Sequence, residues 1–596
     1  MKTYKAIIYT ALNEKILYLP AVNYYFGLRP DCAMTDCEYQ WTWKELDCFL
    51  KKESPEEYSV FSRTSIEKRI GNLTHYSESE IRNELELGQF TLCFHPSRKC
   101  NLNCKYCFGH SDYLDNQELS FDTIKKAIDY MLYEYAPYGC KYIFDFSGSG
   151  EPLLKFDLIR QVTEYCKEKR QEIGKAIEIM FCSNLTLMTR EMADYFENES
   201  MILLGTSLDG GQETNDNNRI YKNGKGTFQD VKKSLELFQN KKFGIASTIT
   251  PLNQKVDEIF DELYQLPNVD CISMRYIREY SGSAYDFNHF DIDELLLHYE
   301  KLCENVLFQL KQGNFDYLIK LINGADVFGI LISQNLRKGG SAPFRCEMGK
   351  NRIICGPDGK FYSCSVMMGS KDFCIGSLAE GVRPDLVKKY WERPKDKIPA
   401  CKACDFHQAC GGECYANSYL QYGNMYTTNS KSCQLNIRLN KLSYAFLEHL
   451  KRTQPENYQK FVEYSFRISN YTTTNTALWA LVKWSTVLGK PLSYEELIKD
   501  INPVESTTEG NLVLQKMRQR IPSAESYQMD LSVTAEDFPI PGISVHKRDK
   551  KAGGIEYLLV YGIKNKHVIF EGMGTRGIQE MPLKQYLTNI SDIILL

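Results

Sequence analysis

Residues Phe90–Cys107 read FTLCFHPSRKCNLNCKYC. A short apolar stretch runs into three cysteines, Cys100, Cys104 and Cys107, spaced C-x3-C-x2-C. Thiolates at this spacing can hold three irons of a 4Fe-4S cube and leave the fourth iron for a small molecule to chelate. Closely spaced cysteines also bind zinc, so the surroundings of the triplet must decide between the two.

Those surroundings alternate β-rich apolar runs with helical patterns, which is how a parallel sheet of βα units reads. Six strands are predicted, at 90–95, 141–146, 177–182, 201–208, 243–250 and 271–277. In the first intervening helix, Ile124, Ala127, Ile128, Met131 and Leu132 recur at helical spacing. Six βα units make a partial barrel whose working face lies at the C-terminal ends of the strands.

The strand ends carry short motifs. The second strand runs into Gly148, Ser149, Gly150 and Glu151, the third into Ser183, Asn184, Leu185 and Thr186, and the fourth into Ser207, Leu208, Asp209 and Gly210. With Tyr106 before the last cysteine of the triplet, this series resembles the radical S-adenosylmethionine (SAM) enzymes. The resemblance implies a 4Fe-4S cluster on Cys100, Cys104 and Cys107, with SAM on its open iron. Gly148, Ser149, Gly150 and Glu151 would hold the SAM ammonium, and Ser183 and Asn184 the ribose. Ser207 and Asp209 match the family's S-x-D-G element. Ser149 stands where the family usually has glycine. Gly224, Gly226 and Thr227 after Arg219 resemble a further family stretch and make Arg219 a candidate for cofactor or substrate contact.

A second cysteine block spans Cys346, Cys355, Cys364, Cys401, Cys404, Cys410, Cys414 and Cys433. It closely resembles the SPASM domain, which carries two auxiliary 4Fe-4S clusters. The resemblance implies Cys346, Cys364 and Cys414 on the first, with Cys355 as its fourth ligand, and Cys401, Cys404, Cys410 and Cys433 on the second. Two zinc knuckles are the alternative. Cys93 and Cys182 fall inside strands and read as buried apolar thiols. His407 reads as a surface residue or a neighbour of the cluster ligands, and Cys32, Cys37 and Cys374 as plain thiols.

The chain has 596 residues, a length that predicts three or four domains. Its net charge of -4 gives no electrostatic footprint for nucleic acid or an anionic membrane. Twenty-one cysteines without an export signal or a long apolar span fit a reduced, cytoplasmic setting. Metal clusters then become the default use for so many thiols.

The predicted organisation is an N-terminal module at 1–88, the radical SAM barrel at 89–335, the SPASM domain at 336–455 and a C-terminal α+β domain at 456–596. In the first, KAIIYT and KILYLP suggest strands, and no convincing winged-helix pattern is visible. The last resembles the papain-like peptidase domains of bacteriocin exporters. Aligned on Gly489, it has Asn470, Thr476, Glu556 and Glu571 where the catalytic Gln, Cys, His and Asp would stand. Thr with Glu cannot form the thiolate-imidazolium pair this chemistry requires, so the resemblance implies peptide binding without cleavage.

Together these resemblances imply a radical SAM-SPASM maturase that abstracts hydrogen from a ribosomally made precursor peptide carrying a leader. The expected product is a thioether, with a C–C crosslink next. The expected redox partner is a low-potential flavodoxin or ferredoxin. The alternative is a protein-modifying maturase, such as an anaerobic sulfatase-activating or quinoprotein-maturing enzyme.

Overall fold

The computed structural model describes residues 3–58, 89–107, 117–136, 141–148, 150–173, 176–278, 280–324, 326–336, 346, 348–349, 351–391 and 395–469. In the C-terminal part it describes 476–487, 510–527, 542–547, 555–564, 566–572 and 578–595, with a few single residues between them.

The N-terminal strands β1 (Thr3–Ala11), β2 (Glu14–Leu19), β3 (Tyr24–Gly27) and β4 (Cys37–Thr42) form an antiparallel sheet in the order β3-β2-β1-β4. Both faces are apolar because both are covered. Ala6, Ile8, Leu17 and Leu19 pack with Leu46 and Leu50 of helix Trp43–Glu53. Ile7, Tyr9, Ile16 and Tyr18 instead join the main core. A capping box between Thr42 and Glu45 starts the helix, an arrangement that contributes about 1 kcal/mol.

All six predicted strands form, as β5 (Gln89–Phe94), β6 (Lys141–Asp145), β7 (Ala176–Ser183), β8 (Ile202–Ser207), β9 (Phe243–Ile249) and β10 (Val269–Tyr276). They pair in parallel and in chain order. Alternation along β9 illustrates the construction. Phe243, Ile245 and Ile249 are buried in the main core, while Ala246 and Thr248 face the cavity inside the sheet's curve. Ile124, Ala127, Ile128, Met131 and Leu132 are all buried, as their spacing requires.

The sheet continues beyond the six strands. β11 (Arg352–Cys355) pairs in parallel with β5, and β12 (Lys360–Tyr362), β13 (Cys374–Ser377) and β14 (Gly381–Val382) follow antiparallel. The first half of the second cysteine block is thereby bonded directly to the barrel's first strand.

The C-terminal strands β15 (Ser526–Tyr527), β16 (Gly542–Lys547), β17 (Ile555–Lys564), β18 (His567–Gly572), β19 (Ile578–Pro582) and β20 (Ile590–Leu595) form an antiparallel sheet ordered β15-β20-β16-β17-β18-β19. Helix Thr476–Val487 packs on it through Trp479, Leu481 and Trp484, in a core separate from the main one. The boundary expected at 456 moves. Helix Pro455–Ser469 buries Phe461 in the main core, and Asn457 donates to the Leu310 carbonyl at 3.0 Å. An apolar side chain goes where a partner surface exists, and here that surface belongs to the barrel side.

No helix among the described residues is long and apolar enough to cross a membrane.

Candidate active site

Cys100, Cys104 and Cys107 line a cavity of about 930 Å³ at the C-terminal ends of the strands, together with Tyr106, Gly148, Gly150, Glu151, Ser183, Asn184 and Ser207. The cysteine loop is held from several sides. The Leu102 amide donates to Cys100 Sγ at 3.4 Å. Asn101 donates to Thr186 Oγ1 at 2.7 Å and accepts from the Asn184 amide group at 3.0 Å. The turn after β7 therefore grips the loop through Asn184 and Thr186, and their partner Asn101 is the residue the sequence analysis did not single out.

Gly150 has φ +83°, and a Cβ there would stand 2.2 Å from the Ser97 carbonyl oxygen. A Cβ on Gly148 would meet the His95 ring at 2.7 Å. Both positions require glycine because this turn presses against the segment leading to Cys100. Ser149 lies outside the described residues.

Glu151 is buried and accepts from the Leu153 amide at 2.9 Å, the Ser183 hydroxyl at 2.7 Å and the Asn184 amide at 2.8 Å. Burial raises its pKa, and these three donors oppose the shift. Its carboxylate thus ties the turn after β6 to the turn after β7.

Asp209 accepts from the Tyr106 hydroxyl at 2.7 Å and the Thr248 amide at 3.0 Å. Arg219 donates to the same Tyr106 hydroxyl at 2.8 Å. Arg219, raised as a candidate by its loop motif, therefore reaches the cysteine loop through Tyr106.

At the end of β6, Asp145 accepts from Arg352 Nη2 at 2.6 Å, the Ser147 amide at 2.7 Å and the Cys93 thiol at 3.6 Å. Cys93 is buried as expected, with a carboxylate partner the sequence did not signal. Cys182 departs from its reading as a core thiol: it lines the cavity, 3.6 Å from Ser207 Oγ. Arg98, Arg275 and Arg278 also line the cavity and were missed. Their one sequence signal is two arginines at the end of the sixth strand.

The second cysteine block gathers into two groups. Arg278 stands among Cys414, Cys364 and Cys346, whose charges raise its pKa. Cys404, Cys410 and Cys433 influence one another electrostatically. Cys401 belongs with them through Gly412: a Cβ on that glycine would be 3.9 Å from Cys401 Sγ, and its carbonyl lies 3.8 Å from Cys410 Sγ. His407 bonds the Cys404 carbonyl at 3.0 Å through Nδ1.

Cys355 is not brought to either group. It packs in the main core with Ile353 and Phe361, while Ile354 and Tyr362 face Cys93 on the other side. Burial is the first cause that raises its pKa to about 12, and Asp358 is the charge that adds to it. This placement does not favour the expectation of Cys355 as a fourth ligand: side chains alternate along β11, and this position faces the main core.

The donor set fits an iron-sulfur cluster and SAM. The three thiols of the cysteine loop share the cavity, Gly148 and Gly150 leave the adjoining turn without side chains, and the buried Ser147 hydroxyl at the cavity has no hydrogen-bond partner among the described residues. Burial raises the Cys104 thiol to about 11, so cluster assembly would displace its proton. Among the described residues, no group of three or more His, Cys, Asp or Glu side chains is arranged to hold a single metal ion.

Residues 94–266 match the sequence model of the Radical SAM superfamily. They are a radical SAM domain. Similarity to enzymes that carry this domain extends past the barrel. A cysteine-type anaerobic sulfatase-maturating enzyme of Clostridium novyi is 24% identical over 55% of this chain and 88% of its own length. The radical SAM cyclopropyl synthase TigE of Paramaledivibacter caminithermalis is 23% identical over 60% of this chain and 76% of its own. The solved structure of native anSMEcpe with bound AdoMet superposes with a TM-score of 0.51 at 20% identity, covering 61% of this chain and 99% of that one. That likeness extends the radical SAM α/β fold, with its parallel sheet, to this chain.

Proposed function

We propose that the protein is a maturase that oxidatively modifies a ribosomally made peptide, forming a thioether or C–C crosslink. The observation that carries this reading is the placement of the second cysteine block. Cys346, Cys364 and Cys414 surround Arg278, which lines the same cavity as Cys100, Cys104 and Cys107. An oxidative modification must remove an electron from the substrate, and a redox centre beside the cavity gives it an exit.

Cys100, Cys104 and Cys107 would hold the SAM-binding cluster. Cys346, Cys364 and Cys414 would hold the first auxiliary cluster and Cys401, Cys404, Cys410 and Cys433 the second, in the manner of a SPASM domain at 336–455. Reductive cleavage of SAM supplies a hydrogen-abstracting radical, the hard chemistry being the cofactor's. Gly148 and Gly150 let the turn after β6 press against the segment leading to Cys100, Glu151 fixes the turns beside it, and Tyr106 with Arg219 and Asp209 holds the cysteine loop. An external low-potential donor of flavodoxin or ferredoxin type would reduce the cluster.

The C-terminal segment would bind the leader. Thr476 begins its helix and accepts from the Tyr557 amide at 3.2 Å, next to the position of Glu556. The Glu571 carboxylate is taken up by Tyr561 at 2.6 Å and Lys483 at 3.4 Å. These side chains are engaged structurally, which supports binding without cleavage. Tethering a leader there raises the local concentration of the modified part, and linkage can gain roughly 10²-fold in avidity.

Similarity to sulfatase-maturating enzymes favours a second reading, the activation of a sulfatase. Anaerobic co-expression with each small peptide encoded nearby, followed by mass measurement, separates the two. Loss of two hydrogens from a peptide carries the first reading; a sulfatase that gains activity only with this enzyme carries the second.

A further inference from the structure

We propose that Arg275 anchors a carboxylate of the substrate peptide in the cavity; this rests on the maturase reading. Arg275 lies near the end of β10 and faces the cavity, and its one hydrogen bond among the described residues runs from Nε to Ser273 Oγ at 2.9 Å. That bond fixes one edge of the guanidinium. The remaining donors are left for something else.

The surrounding carboxylates are already committed. Asp145 serves Arg352, Ser147 and Cys93. Asp209 serves Tyr106 and Thr248, and Glu151 serves Leu153, Ser183 and Asn184. The charged neighbours of Arg275 include two further cations, Arg278 and Arg352, and the Asp145 carboxylate that Arg352 already holds. Burial, together with those like charges, lowers its pKa. A guanidinium kept in such a place calls for an anion.

Its position says which anion. The proposed cofactor contacts lie at the ends of β6, β7 and β8, with Arg219 as the guanidinium on their side. Arg278, three positions after Arg275, faces the cysteines of the first auxiliary group. Arg275 thus lines the cavity that holds both the cysteine triplet and Arg278, and a substrate carbon that loses a hydrogen and then an electron must enter that cavity. A planar guanidinium matches a carboxylate through two parallel hydrogen bonds, which an acidic side chain or a peptide C terminus can accept.

The test uses anaerobically reconstituted full-length protein, SAM, and short fluorescein-labelled Gly-Ser peptides read by anisotropy. One carries Glu and an amidated terminus, one Gln and an amidated terminus, and one Gln and a free terminus. The Glu peptide or the free-terminus peptide should bind at least about tenfold more tightly than the amidated Gln peptide, as charged hydrogen bonds allow. Which of the two is preferred identifies the source of the carboxylate. In Arg275→Gln the preference should fall to within about twofold, and Arg275→Lys, which keeps the charge without the fork, should retain part of it.

Equal binding of all three peptides by the wild type overturns the proposal, as does a preference that survives Arg275→Gln. A tenfold loss of SAM affinity in that variant assigns Arg275 to the cofactor and overturns it too. If Arg275→Gln loses its iron, the wild-type comparison and Arg275→Lys still decide. Failure of the maturase reading appears separately, as modification of no peptide by the wild type under co-expression.

Discussion

The Arg219 guanidinium donates to the Tyr106 hydroxyl at 2.8 Å, linking side chains 113 positions apart. The same hydroxyl donates to Asp209 at 2.7 Å. One phenol therefore joins the cysteine loop to the end of the fourth barrel strand and to the loop that follows it. Tyr106→Phe leaves a buried cation and a buried carboxylate short of one partner each. We expect a loss of about 1–3 kcal/mol in chemical denaturation of the metal-free protein, with slower SAM cleavage after reconstitution. An unchanged denaturation midpoint would show that Arg219 and Asp209 pair directly and that the hydroxyl contributes little.

Replacing Cys100, Cys104 and Cys107 together with Ala should lower iron from about twelve to about eight per chain, since each cube holds four. Formation of 5'-deoxyadenosine should stop. Iron near four in the wild type, with zinc in the remainder, would refute the auxiliary clusters.

Cys355→Ala and Cys364→Ala should behave differently. Cys355 packs in the main core, so its loss should cost about 1 kcal/mol of packing and leave the iron content and electron paramagnetic resonance spectrum unchanged. Cys364, grouped with Cys414 near Arg278, should lose or alter one auxiliary signal. A changed spectrum in Cys355→Ala would return this residue to the ligand set.

Asp326 caps helix Val327–Asn335 through the Phe328 and Gly329 amides at 2.8 and 2.9 Å. Burial raises its pKa to about 7, above the ordinary value of about 3.9 in the unfolded chain. The folded state thus holds a proton that the unfolded state releases. The associated stability is complete below pH about 4 and is lost as pH rises to about 7. Asp326→Asn retains the cap without that loss. Its stability relative to wild type should be higher at pH 8 than at pH 5, and an equal difference at both would mean that Asp326 does not titrate with folding.

Truncation after Ser469 should weaken binding of a full precursor and spare uncoupled SAM cleavage, because the C-terminal sheet and its helix have their own core. Equal precursor binding by truncated and full-length enzyme would move leader recognition to the N-terminal sheet. Truncation at 456 should instead cost barrel stability, since it removes Phe461 from the main core.

The sequence by itself determined the six barrel strands, the three-cysteine loop and the motifs at the strand ends. These are local: a strand reads from the alternation of its own residues, and a cysteine triplet from its own spacing. In the N-terminal part, KAIIYT and KILYLP read as strands although each is apolar on both faces. Only the tertiary structure decided why, by placing helix Trp43–Glu53 on one face and the main core on the other. It alone separated Cys355 from Cys364, because the direction of a side chain on β11 is set by pairing with β5, more than two hundred positions earlier. The role proposed for Arg275 was not legible in the sequence, where this residue is only one of two arginines at the end of the sixth strand. Its meaning rests on which carboxylates nearby are already bound, and those belong to strands that meet only when the sheet closes around the cavity.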